Sequence, residues 1–363
     1  MIRIMTRELL IMTILGCLLF PALTANAQYR TQEQLRIFYL KREKQAPEPL
    51  KKKLAQLRAE IARRHLHFTI SYTGVADRHP LTLIGARPLN MAGFLQLKKR
   101  FQHRHFTREE KSFFNDKPLL TAPLPTVYDS RQYQPFTDVK QQLREECWAY
   151  ATIGALECSA IRVNHLNTAN DLDLSAMQLI SCSGAGDLRN GGWPYLAFDY
   201  LLKQNIRMMT EVQYPVNSAP ASCPAIVPAS NVKVINWGLV DITVDTFKIA
   251  SVQSIKSAVF AYGAVNASMK ASPAFKYYTG GVFDEQPTDY IHPDNIDHAI
   301  VIIGWDDSKQ AWLIRNSYGV NWGMDGYGWV NYKANNIGYC AVWCFAAPFT
   351  TMSATVRYKV KKK

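Results

Sequence analysis

The chain has 363 residues and 48% hydrophobic side chains, more than one small core uses, so two or three units are expected. Its formal charge of +13 is uneven: residues 28–121 carry 20 basic against 8 acidic side chains, whereas residues 122–356 are net −5. No nucleic-acid motif interleaves with the basic residues, which argues against a nucleic-acid partner. The asymmetry reads either as attraction between two parts of one chain or as a solvated basic helix face.

Residues 1–27 have the layout of a secretory signal peptide, with Arg3 and Arg7, an apolar run from Leu9 to Leu23, and the small-residue site Ala25-Asn26-Ala27. The apolar run falls short of the roughly 20 residues a spanning helix needs, and Pro21 breaks it, so a stable membrane anchor is not expected. A lipoprotein reading through Gly16-Cys17 fits less well, because Leu18-Leu19-Phe20 stays apolar. Export is expected, to periplasm, medium or lysosome according to host, with Gln28 first in the processed chain.

Leu35, Phe38 and Tyr39, then Leu50, Leu54, Leu57 and Ile61, recur at helical spacing and predict two helices within 31–66, parted by Pro47 and Pro49. The alternation from His67 to Tyr72 predicts a strand. Residues 98–117 form a charged run, and the prolines from Pro118 to Pro125 mark an exposed connector and a boundary. Beyond it, Cys147 to Arg162 predicts a helix, and Ser175 caps a short one over 174–180. Asn190 to Pro194 makes a turn that opens a helix over 195–203. From Val232 onward, short β-branched and aromatic runs predict strands, among them 264–269, 299–305 and 311–315. A helical half followed by a strand-rich half gives an α+β fold with a cleft between the halves.

Cys147 heads an apolar helix, where the positive end of the macrodipole favours the thiolate. Gln142 stands just upstream, and His298 and Asn316 come far downstream. These read as nucleophile, base and orienting amide. Each has a blander reading when taken singly: Cys147 as a buried structural cysteine, His298 as a core histidine, Asn316 as a turn residue.

Their order and flanks argue against coincidence. Leu124-Pro125, Asp129-x-Arg131, Cys147-Trp148-Ala149-Tyr150, Leu174-Ser175 before Cys182, Asn190-Gly191-Gly192 and Tyr214-Pro215 follow one another along the chain. Gly280-Gly281-Val282-Phe283, Asp297-His298-Ala299, Asn316-Ser317-Tyr318-Gly319, Trp322-Gly323 and Gly326-Tyr327-Gly328 complete the series. From about Leu124 to Phe345 the sequence resembles the papain family of cysteine peptidases.

The resemblance implies a two-lobed papain-like fold, with a helical left lobe, a β-barrel-like right lobe and the active-site cleft between them. It implies Cys147 as nucleophile, His298 as base, Asn316 as orienter, and an oxyanion hole made by Gln142 with the Cys147 amide. Trp322 would shield the His–Asn contact. Gly191, Gly192, Trp193 and Pro194 would form the cleft wall, and Pro194, Ser268, Asp297 and Phe345 an apolar pocket. Cys182 and Cys223 would form a disulfide. Cys158, Cys340 and Cys344 form an odd set, with a bridge from Cys158 to one of the others open. None has zinc-site spacing, so no metal and no cofactor are expected.

The sequence also departs from the family pattern. Leu143-Arg144-Glu145-Glu146 replaces the usual Gly-Ser-Cys-Gly-Ser and is one residue shorter, leaving Gln141 as a second candidate for the oxyanion amide. Glu145 and Glu146 would raise the thiol pKa if they face it, or favour basic residues on the leaving side of the substrate if they line the cleft. Tyr318 replaces a tryptophan.

The implied organisation is a signal peptide over 1–27, an inhibitory propeptide over 28–121, a peptidase domain over 122–356 and a basic tail over 357–363. The expected function is an exported cysteine endopeptidase made as a zymogen, with acid-promoted self-cleavage within Lys117 to Thr126. Its partners would be peptide or protein substrates and its own propeptide, in a monomeric enzyme. The alternatives are a catalytically impaired peptide-binding relative and a thiol acyltransferase or ligase.

Overall fold

The computed structural model describes residues 29–89, 91–101, 107–115, 123–169, 172–216, 222–241, 249–287 and 296–349. The expected signal peptide, the basic tail, most of the window from Lys117 to Thr126 and most of the stretch before His298 lie outside these residues.

Helix α1, Gln32–Lys44, opens with a capping box between Thr31 and Gln34. Helix α2, Glu48–Arg63, follows, with Pro47 as its cap residue and Pro49 inside its first turn, where a missing N–H is harmless. Leu35, Tyr39, Leu50 and Leu54 are their buried residues. Strand β1, Phe68–Ile70, comes next, then a 3-10 turn at Pro80–Leu83 and an extended run through residues 84–89. The charged stretch over 98–117 takes in the end of helix α3, Met91–Phe101, and the whole of helix α4, Arg108–Asn115. A second capping box starts α4: Thr107 N–H donates to Glu110 and Glu110 N–H donates back to the Thr107 hydroxyl, at 2.9 and 3.1 Å.

After β2, Val127–Asp129, come α5, Cys147–Val163, and α6, Ala176–Cys182, which the Ser175 hydroxyl caps. Two-residue strands β3, Gly186–Asp187, and β4, Gly191–Gly192, form a tight ribbon, and Pro194 opens α7, Pro194–Lys203. The rest is β5, Val234–Leu239; α8, Val252–Tyr262; β6, Val265–Met269; β7, Tyr278–Phe283; β8, His298–Asp306; β9, Ala311–Arg315; β10, Tyr327–Asn331; and β11, Tyr339–Ala346. Helix α8 is an addition to the strand-rich half that the sequence predicted.

One mixed sheet runs β1-β7-β10-β9-β8-β6-β11-β5, with β2 added on β8. Strands β7 and β10 pair parallel, and the other pairs are antiparallel. Strand β8 is buried throughout, so both its faces are apolar. Ala299, Val301 and Ile303 join the core built on α5, α6 and α7, whereas Ile300 and Ile302 join the core on the α8 side. This is the expected α+β arrangement of a helical lobe against a sheet. The leading segment belongs to it as well: β1 forms one edge by pairing with β7, Phe68 opposite Gly281 and Thr69 opposite Gly280.

Cys182 and Cys223 are disulfide-bonded. Cys158, Cys340 and Cys344 stay free thiols, so the open second bridge is not formed. No helix among the described residues is long and apolar enough to cross a membrane.

Candidate active site

Cys147 is the first residue of α5 and His298 the first of β8, and packing of α5 on β8 brings these ends together. The amide of Ala299, next to His298, donates to Cys147 Sγ at 3.4 Å. His298 Nε2 lies 2.8 Å from Asn316 Oδ1, and the Ser317 N–H meets that same oxygen at 2.8 Å. Since a backbone N–H only donates, this atom is the amide oxygen, and Nε2 carries the proton toward it. The other ring nitrogen, Nδ1, is buried without a protein partner.

Aromatic rings enclose the imidazole. Tyr318 and Phe275 lie 5.0 and 5.9 Å from it between centroids. Trp322 packs behind both, 5.6 Å from Tyr318 and 5.0 Å from Phe275, with its indole N–H on the Phe275 carbonyl at 2.8 Å. Its shielding of His298 is therefore indirect. Phe275 and Tyr318 are the nearer cover, and nothing in their sequence context marks Phe275 for this position.

Gln142 is fully buried, and Ser317 fixes its amide: the Ser317 hydroxyl donates to Gln142 Oε1 at 2.7 Å. Nε2 is thereby aimed outward, toward the carbonyls of Thr82 and Ile84 at 3.1 and 3.3 Å and of Arg144 at 2.9 Å. Gln141 is exposed and pairs by backbone with Tyr318. The donor aimed at the cleft is thus Gln142, not Gln141.

The extended run of the leading segment threads the cleft. The Gly85 and Ala86 amides donate to the Asp297 carbonyl at 2.8 and 2.9 Å, and the Gly192 amide donates to the Gly85 carbonyl at 2.8 Å. Arg87 N–H donates to the Gly192 carbonyl at 2.9 Å, so residues 85–87 add a parallel rung to the Gly191–Gly192 ribbon. Gly85, with φ +140°, passes so close to the Glu145 backbone that a Cβ there would collide with it. Gly191, with φ +69°, leaves the matching space on the other wall, where a Cβ would strike the Gly85 carbonyl. The Tyr318 hydroxyl donates to the Leu83 carbonyl at 2.6 Å, the Trp193 indole N–H to the Pro88 carbonyl at 3.0 Å.

Dryness sets the electrostatics. Burial pushes the Cys147 thiol far above its ordinary range, although the Ala299, Ala86 and Trp148 amides stabilise the anion in part. Burial lowers His298 to about 4, against a smaller upward pull from Asn316. With the cleft covered, both groups are held neutral. Of the acidic side chains, Asp297 bears on the thiol, and Lys270 neutralises it at 2.8 Å. Glu146 is buried inside its own loop, accepting the Leu143 N–H at 2.9 Å. Glu145 stands on the wall facing Gly191 across Gly85, and the charge of Asp187 reaches it.

Ser268 pairs across β6 and β8 with Ala299, one residue from His298, and Pro194 is buried at the head of α7. Phe345 is not with them. It lies at the far end of β11, against Phe113 at 5.4 Å and Tyr262 at 6.4 Å, and pairs with Asn236 in the outermost strand. Among the described residues, no cluster of three or more His, Cys, Asp or Glu is placed to hold a metal.

A family model described as papain family cysteine protease matches residues 124–346. The chain belongs to that family. It is accordingly a cysteine-type peptidase, a hydrolase. A digestive cysteine proteinase of Homarus americanus is 30% identical over 235 residues, covering 62% of this chain and 68% of that protein. Procathepsin L of Mus musculus is 29% identical over 244 residues, covering 64% and 67%. Among solved structures, the digestive procathepsin L2 proteinase of Tenebrio molitor shares the fold with a TM-score of 0.62 at 23% identity, over 87% of this chain and 95% of that one. The proform of the ragweed pollen cysteine protease Amb a 11 does so with a TM-score of 0.61 at 19% identity, over 89% and 97%.

Proposed function

We propose that the chain is an exported papain-family endopeptidase made as a zymogen, with Cys147 as nucleophile, His298 as acid–base partner and Asn316 as orienter. The observation that carries this reading is the convergence of Cys147, the Ala299 amide, His298 and Asn316 in a cleft already occupied by residues 82–89. Residues 28–121 act as the inhibitory propeptide in this reading, residues 122–356 as the peptidase, and export rests on the layout of residues 1–27.

Release of residues 82–89 admits water, which lets Cys147 and His298 ionise as a thiolate–imidazolium pair. The thiolate attacks the substrate carbonyl. The Cys147 amide and Gln142 Nε2 hold the oxyanion, as Nε2 now faces the carbonyls of the leading segment. His298 gives its proton to the leaving amine, and the remaining acyl-enzyme is hydrolysed by water that His298 deprotonates. Asn316 Oδ1 keeps the ring turned so that Nδ1 is the nitrogen free for this exchange.

The test is incubation of the full chain at acid pH with a fluorogenic peptide and an active-site-directed epoxide. Epoxide labelling of Cys147 in proportion to lost turnover is the expected result. Equal maturation of a Cys147→Ala chain alone in buffer would sink self-processing, and turnover by that variant would sink the assignment of the nucleophile.

A further inference from the structure

Arg87 is the side chain through which the leading segment grips the Gly191–Gly192 wall. Its Nε donates to the Asn190 carbonyl, and its guanidinium lies 5.1 Å from the centre of the Trp193 ring. The Glu145 carboxyl is pushed up by burial and by the Asp187 charge and drawn down by Arg87, which also lowers Asp187. The turn holds Asp187 in place: its Oδ1 accepts the Arg189 and Asn190 amides, each at 2.7 Å, and its Oδ2 the Asn190 side chain at 2.9 Å. A cation thus already rests on a carbonyl and an aromatic face, within the field of two carboxylates on the facing walls.

The position of this pocket along the cleft follows from the chemistry. The leaving amine must take its proton from His298, so the leaving half of a substrate lies toward His298 and Tyr318. The acyl half lies the other way, past Cys147 and along Gly191 and Gly192. Arg87 is in that half, one residue beyond Ala86, which stands opposite Gly192. The sequence alone suggested that Glu145 would act on the leaving half.

We propose that Glu145, Asp187 and Trp193 form a cation subsite that selects substrates with Lys or Arg within three residues of the cut bond on its acyl side. Arg87 then occupies, within the resting protein, the place of that substrate side chain. The proposal deepens the peptidase reading above and rests on it.

The experiment uses the full chain after acid activation, with active sites counted by epoxide. Peptides carrying Arg or Gln at each of the first three acyl-side positions are compared by kcat/KM. At low salt, Arg should be preferred about tenfold at one of these positions, and the preference should shrink in 0.5 M salt. The double variant Glu145→Gln with Asp187→Asn should bring the Arg-to-Gln ratio close to one. A ratio near one in the unmodified enzyme at all three positions would overturn the subsite, as would a preference that the double variant leaves unmoved. Because the first comparison changes only the peptide, a poorly folded variant cannot decide it. Turnover without preference defeats the subsite alone, whereas absence of turnover on every peptide defeats the peptidase reading with it.

Discussion

Replacing Gln142 by alanine removes one of the two donors proposed for the developing oxyanion, while Cys147 and His298 keep their surroundings. The expected loss is about 100- to 1000-fold in kcat, or roughly 3–4 kcal/mol, with a much smaller change in KM. Gln141→Ala in parallel should cost little, since that side chain is exposed. Steady-state kinetics on one peptide decides this, and equal losses in the two variants would refute the assignment. Cys147, His298 and Asn316 were legible in the sequence because each sits in a short motif whose order can be read along the chain. The part played by Ser317 was not: its hydroxyl meets the Gln142 amide across 175 residues of sequence. Phe345 misled for the same reason, since position in a strand does not reveal which neighbour a ring will face.

Helix α5 is tied to the Asn316 loop by a buried ionic cluster. Glu157 accepts the Leu174 amide at 3.0 Å and the Thr137 hydroxyl, and lies 3.9 Å from Arg315, the residue before Asn316. Glu157→Ala would leave that arginine buried beside an apolar gap. A loss of about 3–5 kcal/mol in unfolding free energy is expected, measurable by urea denaturation of the inactive Cys147→Ala chain. A loss under about 1 kcal/mol would refute this role for the carboxylate, which Lys140 also approaches at 3.6 Å. At this scale the sequence was readable where apolar residues repeat at helical spacing, as in α1 and α2, and where an apolar run stands unbroken, as in α5 and β8. Helix α8 was overlooked because Val252, Ile255, Val259, Phe260 and Tyr262 are strand formers by composition. Its true signals were punctuation: Ser251 caps it and Gly263, at φ +88°, ends it. Helix α4 hid its Thr107–Glu110 box in a run that reads only as charge.

For the molecule as a whole, covering the cleft couples the fold to pH. His298 ionises near 4 while covered, against about 6.5 for an exposed imidazole. Between those values the opened form binds more protons than the covered one. Opening is therefore favoured as pH falls from about 6.5 to about 4, by at most roughly 3 kcal/mol, and the effect vanishes above about 6.5. In a Cys147→Ala chain, cleavage of the leading segment by an added protease should rise across that window, and His298→Gln should flatten the rise. Superimposable pH profiles for the two chains would rule out the histidine. Opposite net charges on the two segments add an attraction that salt weakens, so release should also quicken with ionic strength. Departure of residues 68–70 has another effect, at the rim of the sheet. The amides and carbonyls of β7 are handed to solvent, and Phe283 loses the ring of Phe68 that lies 4.5 Å from it. Gly280 and Gly281 stand in the middle of that vacated margin, where no side chain screens the backbone from an arriving strand. A peptidase freed in this way discards its outermost strand and offers in its place a bare border that another extended chain can join.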